Sequence, residues 1–270
     1  MASFSVVNNI TSAYAQTNLQ ATQLGLQKAL SRLSSGYRIN SAGDDAAGLA
    51  VANSYRNATA IVSQGIRNAN DGLSDLQIKD GALSNISTLL DRLATLATQA
   101  ASGKVGLDLG ALNSEFDKVK TEITREAAVA GLDATGGTGF SVFISNTTNA
   151  ADGKVSGTIG EVSLSQLGID GLSIESQSNA MAAVSSVAAA VSSLGTVQSE
   201  VGQAQNNLQF AISLGQSQMV NTKAAESRIR DANVAEEAAN MTRYNILTQS
   251  GIAALAQANQ SSSSVLALLR

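Results

Sequence analysis

Residues 62–97 read VSQGIRNANDGLSDLQIKDGALSNISTLLDRLATLA. Val62, Ala69, Leu76, Leu83, Leu90 and Ala97 stand seven residues apart, and Tyr55 extends the series upstream. Ile66, Leu73, Ile86 and Leu93 fill the companion position, with a shift between three and four residues. A seven-residue apolar repeat keeps one stripe of a slightly underwound helix facing a partner, as in a coiled coil. With its flanks, the pattern predicts a helix from Asp44 to Ala101, roughly 85 Å long at 1.5 Å per residue. Asn70-Asp71-Gly72 has the composition of a turn, yet the repeat passes through it in register. An intact helix with a glycine penalty of about 1 kcal/mol is therefore expected. Asp44 and Asp45 suit the start of that helix, where carboxylates meet free amides and the dipole. Adjacent helical residues point in different directions, which argues against a catalytic carboxylate pair.

Working outward, both ends of the chain read as helix. From about Val6 to Ser35, Leu19, Leu26 and Leu33 form a heptad stripe with Ala15, Thr22 and Ala29 four residues before them. Gly36 is placed to cap it in the left-handed conformation. A third helix is expected from about Leu109 to Ala128, carried by Leu112, Phe116, Val119 and Ile123. From Gly131 the texture changes. Phe140 to Ile144 and Val155 to Leu164 favour strands, with Asp152-Gly153 as a turn, so a small β element near 138–175 is expected. Helix resumes near Ser178, with Val187, Leu194, Val201 and Leu208 on one seam and Val184, Val191, Ile212 and Met219 on its companion. A break at Asp231-Ala232-Asn233 precedes a last helix to Leu269, on which Ile252, Leu255, Leu266 and Leu269 make one face. Glu236 and Glu237 fit its first turn.

The predicted architecture is mainly α: a long antiparallel coiled-coil helical rod with a small central β element. Three parts are expected: 1–40 plus 235–270 as a terminal-helix inner core, 41–135 plus 176–234 as the helical rod, and 136–175 as a β-hairpin region. The outermost helices have apolar stripes but little to pack on, and isolated helices of that kind are marginal. They are expected to become ordered mainly against other copies of the chain.

Composition excludes much chemistry. Of 270 residues none is Cys, His, Pro or Trp. That removes disulfides, thiolate nucleophiles, the commonest general base and the commonest transition-metal ligands. The absence of proline leaves long helices free to run. Aromatics are 3% and the formal charge is −4, a poor basis for stacking bases or binding a phosphate backbone. No apolar run reaches the length of a membrane span. Gly136-Gly137-Thr138-Gly139 lacks the Lys-Ser/Thr of a phosphate loop. No catalytic, cofactor or metal site is expected, and the chain reads as a non-enzyme. Asn-X-Ser/Thr triplets begin at Asn9, Asn57, Asn85, Asn146, Asn240 and Asn259, all but Asn146 on predicted helices, and read as chance matches. Arg228 and Arg230 are expected to pair with neighbouring subunits.

Several motifs carry a resemblance. Leu33-Ser34-Ser35-Gly36-Tyr37-Arg38-Ile39-Asn40-Ser41-Ala42, followed by Asp44-Asp45-Ala46-Ala47-Gly48, resembles the N-terminal signature of bacterial flagellin. Arg67-Asn68-Ala69-Asn70-Asp71-Gly72, Ser227-Arg228-Ile229-Arg230-Asp231, Asn240-Met241-Thr242-Arg243 with Ile246-Leu247, and Leu255-Ala256-Gln257-Ala258-Asn259-Gln260 are further matches in the same order. Together they cover roughly 1–130 and 175–270, and the short middle resembles a minimal member without large outer domains. The resemblance implies a secreted structural subunit of the extracellular flagellar filament, used for motility. It implies unfolded passage through a type III export apparatus, an export chaperone, a filament cap and hook-junction proteins as partners, and self-assembly into a helical homopolymer. Leu19, Leu26, Leu33, Ile252, Leu255, Leu266 and Leu269 are placed in the inner assembly contacts. Val62, Leu76, Leu83, Leu90, Val191, Leu194 and Leu208 are placed in the rod core. The resemblance also implies an innate-receptor-like surface for a Toll-like receptor at Leu90, Arg92, Leu96, Gln99 and Glu115, with Asp91, Ala94 and Thr95 departing from the family pattern. A hook–filament junction protein, or another secreted coiled-coil structural protein, is the alternative.

Overall fold

The computed structural model describes residues 8–103, 108–144 and 153–268, with side chains through Ser261. Five helices and one hairpin follow in order: α1 (Ile10–Ser35), α2 (Ala46–Ala101), α3 (Leu109–Val129), β1 (Thr138–Phe143), β2 (Lys154–Ile159), α4 (Gln177–Arg230) and α5 (Val234–Leu268). The fold is mainly helical with a small antiparallel β element, as the heptads and the Gly-rich middle predict. The chain divides into two units, one made of residues up to Asn57 with those from Thr222 onward, the other of Ala58–Asn221.

In the second unit the 3–4 alternation of α2 never shifts. Val62, Ala69, Leu76, Leu83, Leu90 and Ala97 are buried, and so are Gly65, Lys79, Ile86, Leu93 and Ala100 between them. Gly72 holds the remaining companion position, half-buried. Ile66 and Leu73, expected on the seam, are only partly buried. The helix runs unbroken through Asn70-Asp71-Gly72.

The companion seam of α4 also differs from the expected one. Ala183, Ala190, Val197 and Ala204 are buried beside Val187, Leu194, Val201 and Leu208. Val191 is 38% exposed and does not belong to the core in which the sequence placed it. Residues three and four positions after Val187 both lie near the seam on a helix. The structure uses the alanine, whose small side chain allows close helix approach.

Three glycines mark close contacts in this unit. A Cβ on Gly215 would lie 3.2 Å from Ile66 Cγ1, and one on Gly72 would lie 2.8 Å from Val142 and 3.5 Å from Leu208. At Gly65 it would lie within 2.6 Å of the Ile144 backbone. The carbonyl end of β1 therefore rests directly on the bare α2 backbone. Gln205 Nε2 donates to the Leu76 carbonyl at 3.4 Å. The low residue numbers of α2 thus meet the high ones of α4, an antiparallel arrangement.

β1 and β2 pair antiparallel from Thr138↔Ile159 to Phe143↔Lys154. Phe140, Val142, Val155 and Ile159 turn inward by alternation. The strands are shorter than expected: β2 stops at Ile159, and 160–176 is irregular backbone. Side chains of α3 hold that stretch down. Lys120 Nζ donates to the carbonyls of Asp170 and Leu172, and the Ile174 amide donates to Asn113 Oδ1 at 2.9 Å. Phe116, Ile123, Leu132, Ile159, Val162 and Ile169 join the α2 and α4 seams in one continuous apolar core. The most apolar stretch of α4 belongs to this core on one side, although the helix is long and apolar enough to cross a membrane. Asn146 and the Asp152 turn position lie outside the described residues.

Candidate functional site

In the first unit α1 and α5 pack side by side and antiparallel, with a cap at each end of α1. The Asn9 side chain accepts from the Ser12 amide, and Gly36 at φ 74° donates its N–H to the Arg32 carbonyl. The inward ladder of α1 is Ser12, Ala15, Leu19, Thr22, Leu26, Ala29 and Leu33; that of α5 is Glu237, Met241, Tyr244, Thr248, Gly251, Leu255 and Ala258. Both alternate three and four, as antiparallel coiled helices require. Most of these side chains are only half-buried. The interface is thin and rich in small or hydroxyl residues.

Two glycines at this interface, Gly25 beside the α1 ladder and Gly251 within that of α5, accept large residues from the opposite helix. A Cβ on Gly25 would lie 2.6 Å from the Tyr244 ring, and one on Gly251 would lie 3.2 Å from Leu19 Cδ1. Polar contacts frame the pair. Arg32 Nη1 donates to Glu237 Oε1 at 3.1 Å, with the Glu237 residue 8% exposed. At the other end Asn9 Nδ2 donates to the Ala258 carbonyl and Ser12 Oγ to Asn259 Oδ1.

Leu19, Leu26, Leu33 and Leu255 lie on this intrachain seam. Ile252 does not: it is 56% exposed. Leu266 is within α5, and Leu269 lies outside the described residues. The outward surface of the pair carries apolar residues that sequence reasoning missed, among them Ile10, Tyr14, Leu24, Ile246 and Leu247, each more than one third exposed. Charge patterning could have flagged them. No charged residue occurs from Ile10 to Gln27, or from Tyr244 to Leu268. In the antiparallel pair those two stretches lie side by side. A solvent-facing helix surface ordinarily carries charge, and contiguous apolar surface marks an interaction site.

The loop between α1 and α2 corrects one expectation. Asp45 alone caps α2, its Oδ1 accepting from the Gly48 amide at 2.8 Å. Asp44 turns back and accepts from the Asn40 amide, the Ser41 amide and the Ser41 hydroxyl. The Ser41 amide, then the Ser41 hydroxyl, then the Asn40 amide and nearby Lys28 hold its carboxyl below the ordinary carboxylate value. The sign follows from that direction. The bonds stabilise the loop fully above the ordinary value, roughly pH 4, and are lost as pH falls through the lowered one. Protection of the Asn40 and Ser41 amides, taken relative to their intrinsic exchange rates, should therefore be lost as pH falls below about 4, while an Asp44→Asn variant should show no such acid step.

Arg228 and Arg230 find partners within the chain. Arg228 Nε donates to the Ala224 carbonyl at 3.3 Å, and Arg230 stacks on Tyr37 with 4.1 Å to the ring centroid.

In the second unit Val62, Leu76, Leu83, Leu90, Leu194 and Leu208 are buried in the core, and Val191 is not. The residues grouped as a receptor-like surface separate. Leu90 and Leu96 are buried core side chains. Arg92 and Gln99 are exposed and Glu115 is half-buried, and Arg92 Nε donates to Glu115 Oε1 at 3.1 Å between α2 and α3. Phe116 follows Glu115 into the core, which fixes the acid outward beside the arginine.

Comparison with known proteins agrees with this helical architecture. Residues 6–131 match the bacterial flagellin N-terminal helical region, and residues 173–269 match the bacterial flagellin C-terminal helical region. A flagellin of Halalkalibacterium halodurans is 35% identical over 97% of this chain and 98% of its own. Flagellin FlaB1 of Treponema pallidum is 31% identical over 97% and 99% of the two chains, and a flagellin of Listeria monocytogenes 32% identical over 94% and 96%. The crystal structure of Bacillus cereus flagellin superposes with a TM-score of 0.48 and 25% identity, covering 59% of this chain and 94% of that one. Two matched regions that flank the β element, and relatives matched along nearly their whole length, establish that this chain belongs to the bacterial flagellin family, the structural, non-enzymatic subunits of the extracellular flagellar filament.

Proposed function

We propose that the chain polymerises through the uncharged end of the α1/α5 pair, which neighbouring copies bury as the inner layer of a filament. The reading rests on one observation: large apolar side chains stand exposed on a helix pair whose facing stretches, 10–27 and 244–268, carry no charge. A helical lattice uses heterologous contacts that do not close, so one such surface suffices to build a fibre. In this reading 1–40 plus 235–270 is the inner-core domain, 41–135 plus 176–234 the surrounding helical rod and 136–175 a small outer element. Leu19, Leu26, Leu33 and Leu255 support the pairing of the terminal helices, and Ile252 makes contacts between copies; the inner assembly role of Leu266 and Leu269 rests on the apolar face read from the sequence. The export apparatus and its chaperone, the filament cap and the hook-junction proteins are the partners that the terminal motifs suggest. A Toll-like innate receptor would meet the exposed Arg92 and Gln99 and the half-buried Glu115, with Leu90 and Leu96 holding that surface from beneath.

Ile252→Asp is the direct test. Its side chain is already largely in water, so stability of the free chain should change by no more than about 0.5 kcal/mol. Burying the new carboxylate between copies would be prohibitive. Seeded polymerisation followed by electron microscopy should yield no filaments, while thermal melting stays as in the parent. Filaments growing at the parental rate would refute the placement. Leu255 is a poorer probe, because a charge there would also disturb the α1–α5 seam.

A further inference from the structure

Aspartate followed by glycine can rearrange without an enzyme, and such pairs begin at Asp71, Asp80, Asp152 and Asp170. The fold makes them unequal. Asp71-Gly72 and Asp80-Gly81 lie inside the unbroken α2, where each glycine amide is bonded to the carbonyl four residues before it. Asp152 lies outside the described residues. Asp170-Gly171 belongs to the irregular stretch between β2 and α4.

This last pair forms the tip of a tight turn, across which the Leu172 amide donates to the Ile169 carbonyl at 3.4 Å. Ile169 and Ile174 on either side are fully buried, and the Ile169 amide donates to the Leu164 carbonyl at 2.9 Å. The turn is thus pinned at its ends, while Asp170 and Gly171 stand exposed. Among the described residues the Gly171 amide has no hydrogen-bond partner. Nothing lies within 4 Å of the place a Gly171 Cβ would take. Lys120 Nζ, on a side chain 11% exposed, donates to the Asp170 and Leu172 carbonyls at 3.3 and 2.9 Å and pairs with Asp117. One ammonium therefore holds a carbonyl on each side of Gly171.

We propose that this turn is a self-modification site, where the folded chain converts Asp170 to isoaspartate while sparing Asp71 and Asp80. The Gly171 nitrogen attacks Cγ of the protonated Asp170 carboxyl. The N–Cγ bond forms, the Cγ–OH bond breaks, and the hydroxyl leaves with the amide proton as water. The product is a succinimide ring. Water then adds to the former main-chain carbonyl and breaks its bond to the Gly171 nitrogen, so the chain now runs through the side-chain carbon. One water leaves and one returns; nothing is oxidised or reduced. Closing the ring needs a free amide, little crowding and rotation about the Asp Cα–C bond. Glycine supplies the openness, and an exposed turn supplies the motion that helix hydrogen bonds deny. One carboxylate remains, so net charge is kept. The backbone gains a methylene between the two carbonyls that Lys120 holds, which one ammonium can no longer bind in their present geometry. The grip of α3 on 160–176 weakens as a result. The site lies in the second unit and does not depend on the inner-layer reading.

The test uses the full-length free chain, aged warm in neutral buffer. Isoaspartate is tagged with an isoaspartyl methyltransferase and located by fragmentation mass spectrometry. Asp170 should convert roughly tenfold or more faster than Asp71 and Asp80, because those two react only after α2 opens locally. In concentrated urea the three should convert at similar rates. Asp170→Glu, which would need a larger ring, should abolish the signal at this position. Gly171→Ala should slow it with melting unchanged. Hydrogen exchange across 160–176 should quicken in the aged parent and not in aged Asp170→Glu. Conversion at Asp170 no faster than at Asp71 or Asp80, a preference for Asp170 that persists undiminished in urea, or converted chain whose 160–176 exchange matches fresh protein would each overturn the proposal. None of these outcomes bears on Ile252→Asp, so the two readings fail separately.

Discussion

Leu90→Asp should abolish the cooperative thermal transition of the second unit, with loss of most of its helical circular dichroism at 25 °C. Leu90 is fully buried in the cluster that includes Leu76, Ile86, Leu93, Leu194 and Val201. Removing a buried leucine costs about 2–5 kcal/mol, and an unpaired buried carboxylate adds several more. A domain has only about 5–15 kcal/mol to lose. Its helix neighbours at three and four positions are Ile86, Ser87, Leu93 and Ala94, so no cation lies along the helix to answer the charge. Leu83 is a less decisive position for the same experiment. It stands one turn from Lys79, a buried seam residue paired with Asp75 at 2.9 Å, which could turn toward a new carboxylate. Leu90→Met, nearly equal in volume, should cost less than about 1.5 kcal/mol. A melting curve for Leu90→Asp that overlays the parent would remove Leu90 from the core and return it to the surface.

Gly65→Ala and Gly81→Ala should move stability in opposite directions, though both replace glycine by the best helix former within one helix. On helix propensity alone each change gains about 1 kcal/mol. At Gly81 nothing lies within 4 Å of the added carbon, so the gain should appear in full as a rise in melting temperature. At Gly65 the carbon would fall far inside contact distance of the Ile144 carbonyl group. The obstacle is backbone, which cannot swing aside as a side chain can. Either α2 shifts or β1 lifts away, and overpacking of this kind costs about 1–3 kcal/mol or more. The loss should be local: hydrogen exchange should quicken across 138–144 and 154–159, with α3 little affected. Stabilisation by Gly65→Ala would mean that the hairpin does not rest on α2.

Much of this arrangement was legible without coordinates, for identifiable reasons. Helix α2 was predicted within two residues of its observed start and at its observed end, because seven successive heptad positions leave little freedom. The caps at Gly36 and Asp45 follow from local chemistry, a positive φ at one and a side-chain acceptor at the other. The polar residues of the seams were not legible. Lys79 occupies a core position at 7% exposure, and nothing in its neighbours marks it as different from an exposed lysine until the rest of the unit is packed around α2. Asp44 could not be told from Asp45 by position, since either can face the helix start. Their roles separate only when the 40–44 loop turns back on itself.

The sequence by itself determined the helices, their heptad faces and the flagellin family, because those depend on spacing along one chain. Tertiary structure decided which residues on each face do the packing. Side chains three and four positions on lie on either side of a seam, about 100° apart on a helix, and only the approaching element selects between them. That selection buries Ala190 and leaves Val191 in water. It also turns Leu255 toward α1 and Ile252 away from it, because Gly251 meets Leu19 of α1 with Leu255 one turn on along the same face, while the next face of α5 stands exposed among the described residues. The residues that join one molecule to the next are the ones intrachain packing leaves over, and that remainder exists only after the chain has folded.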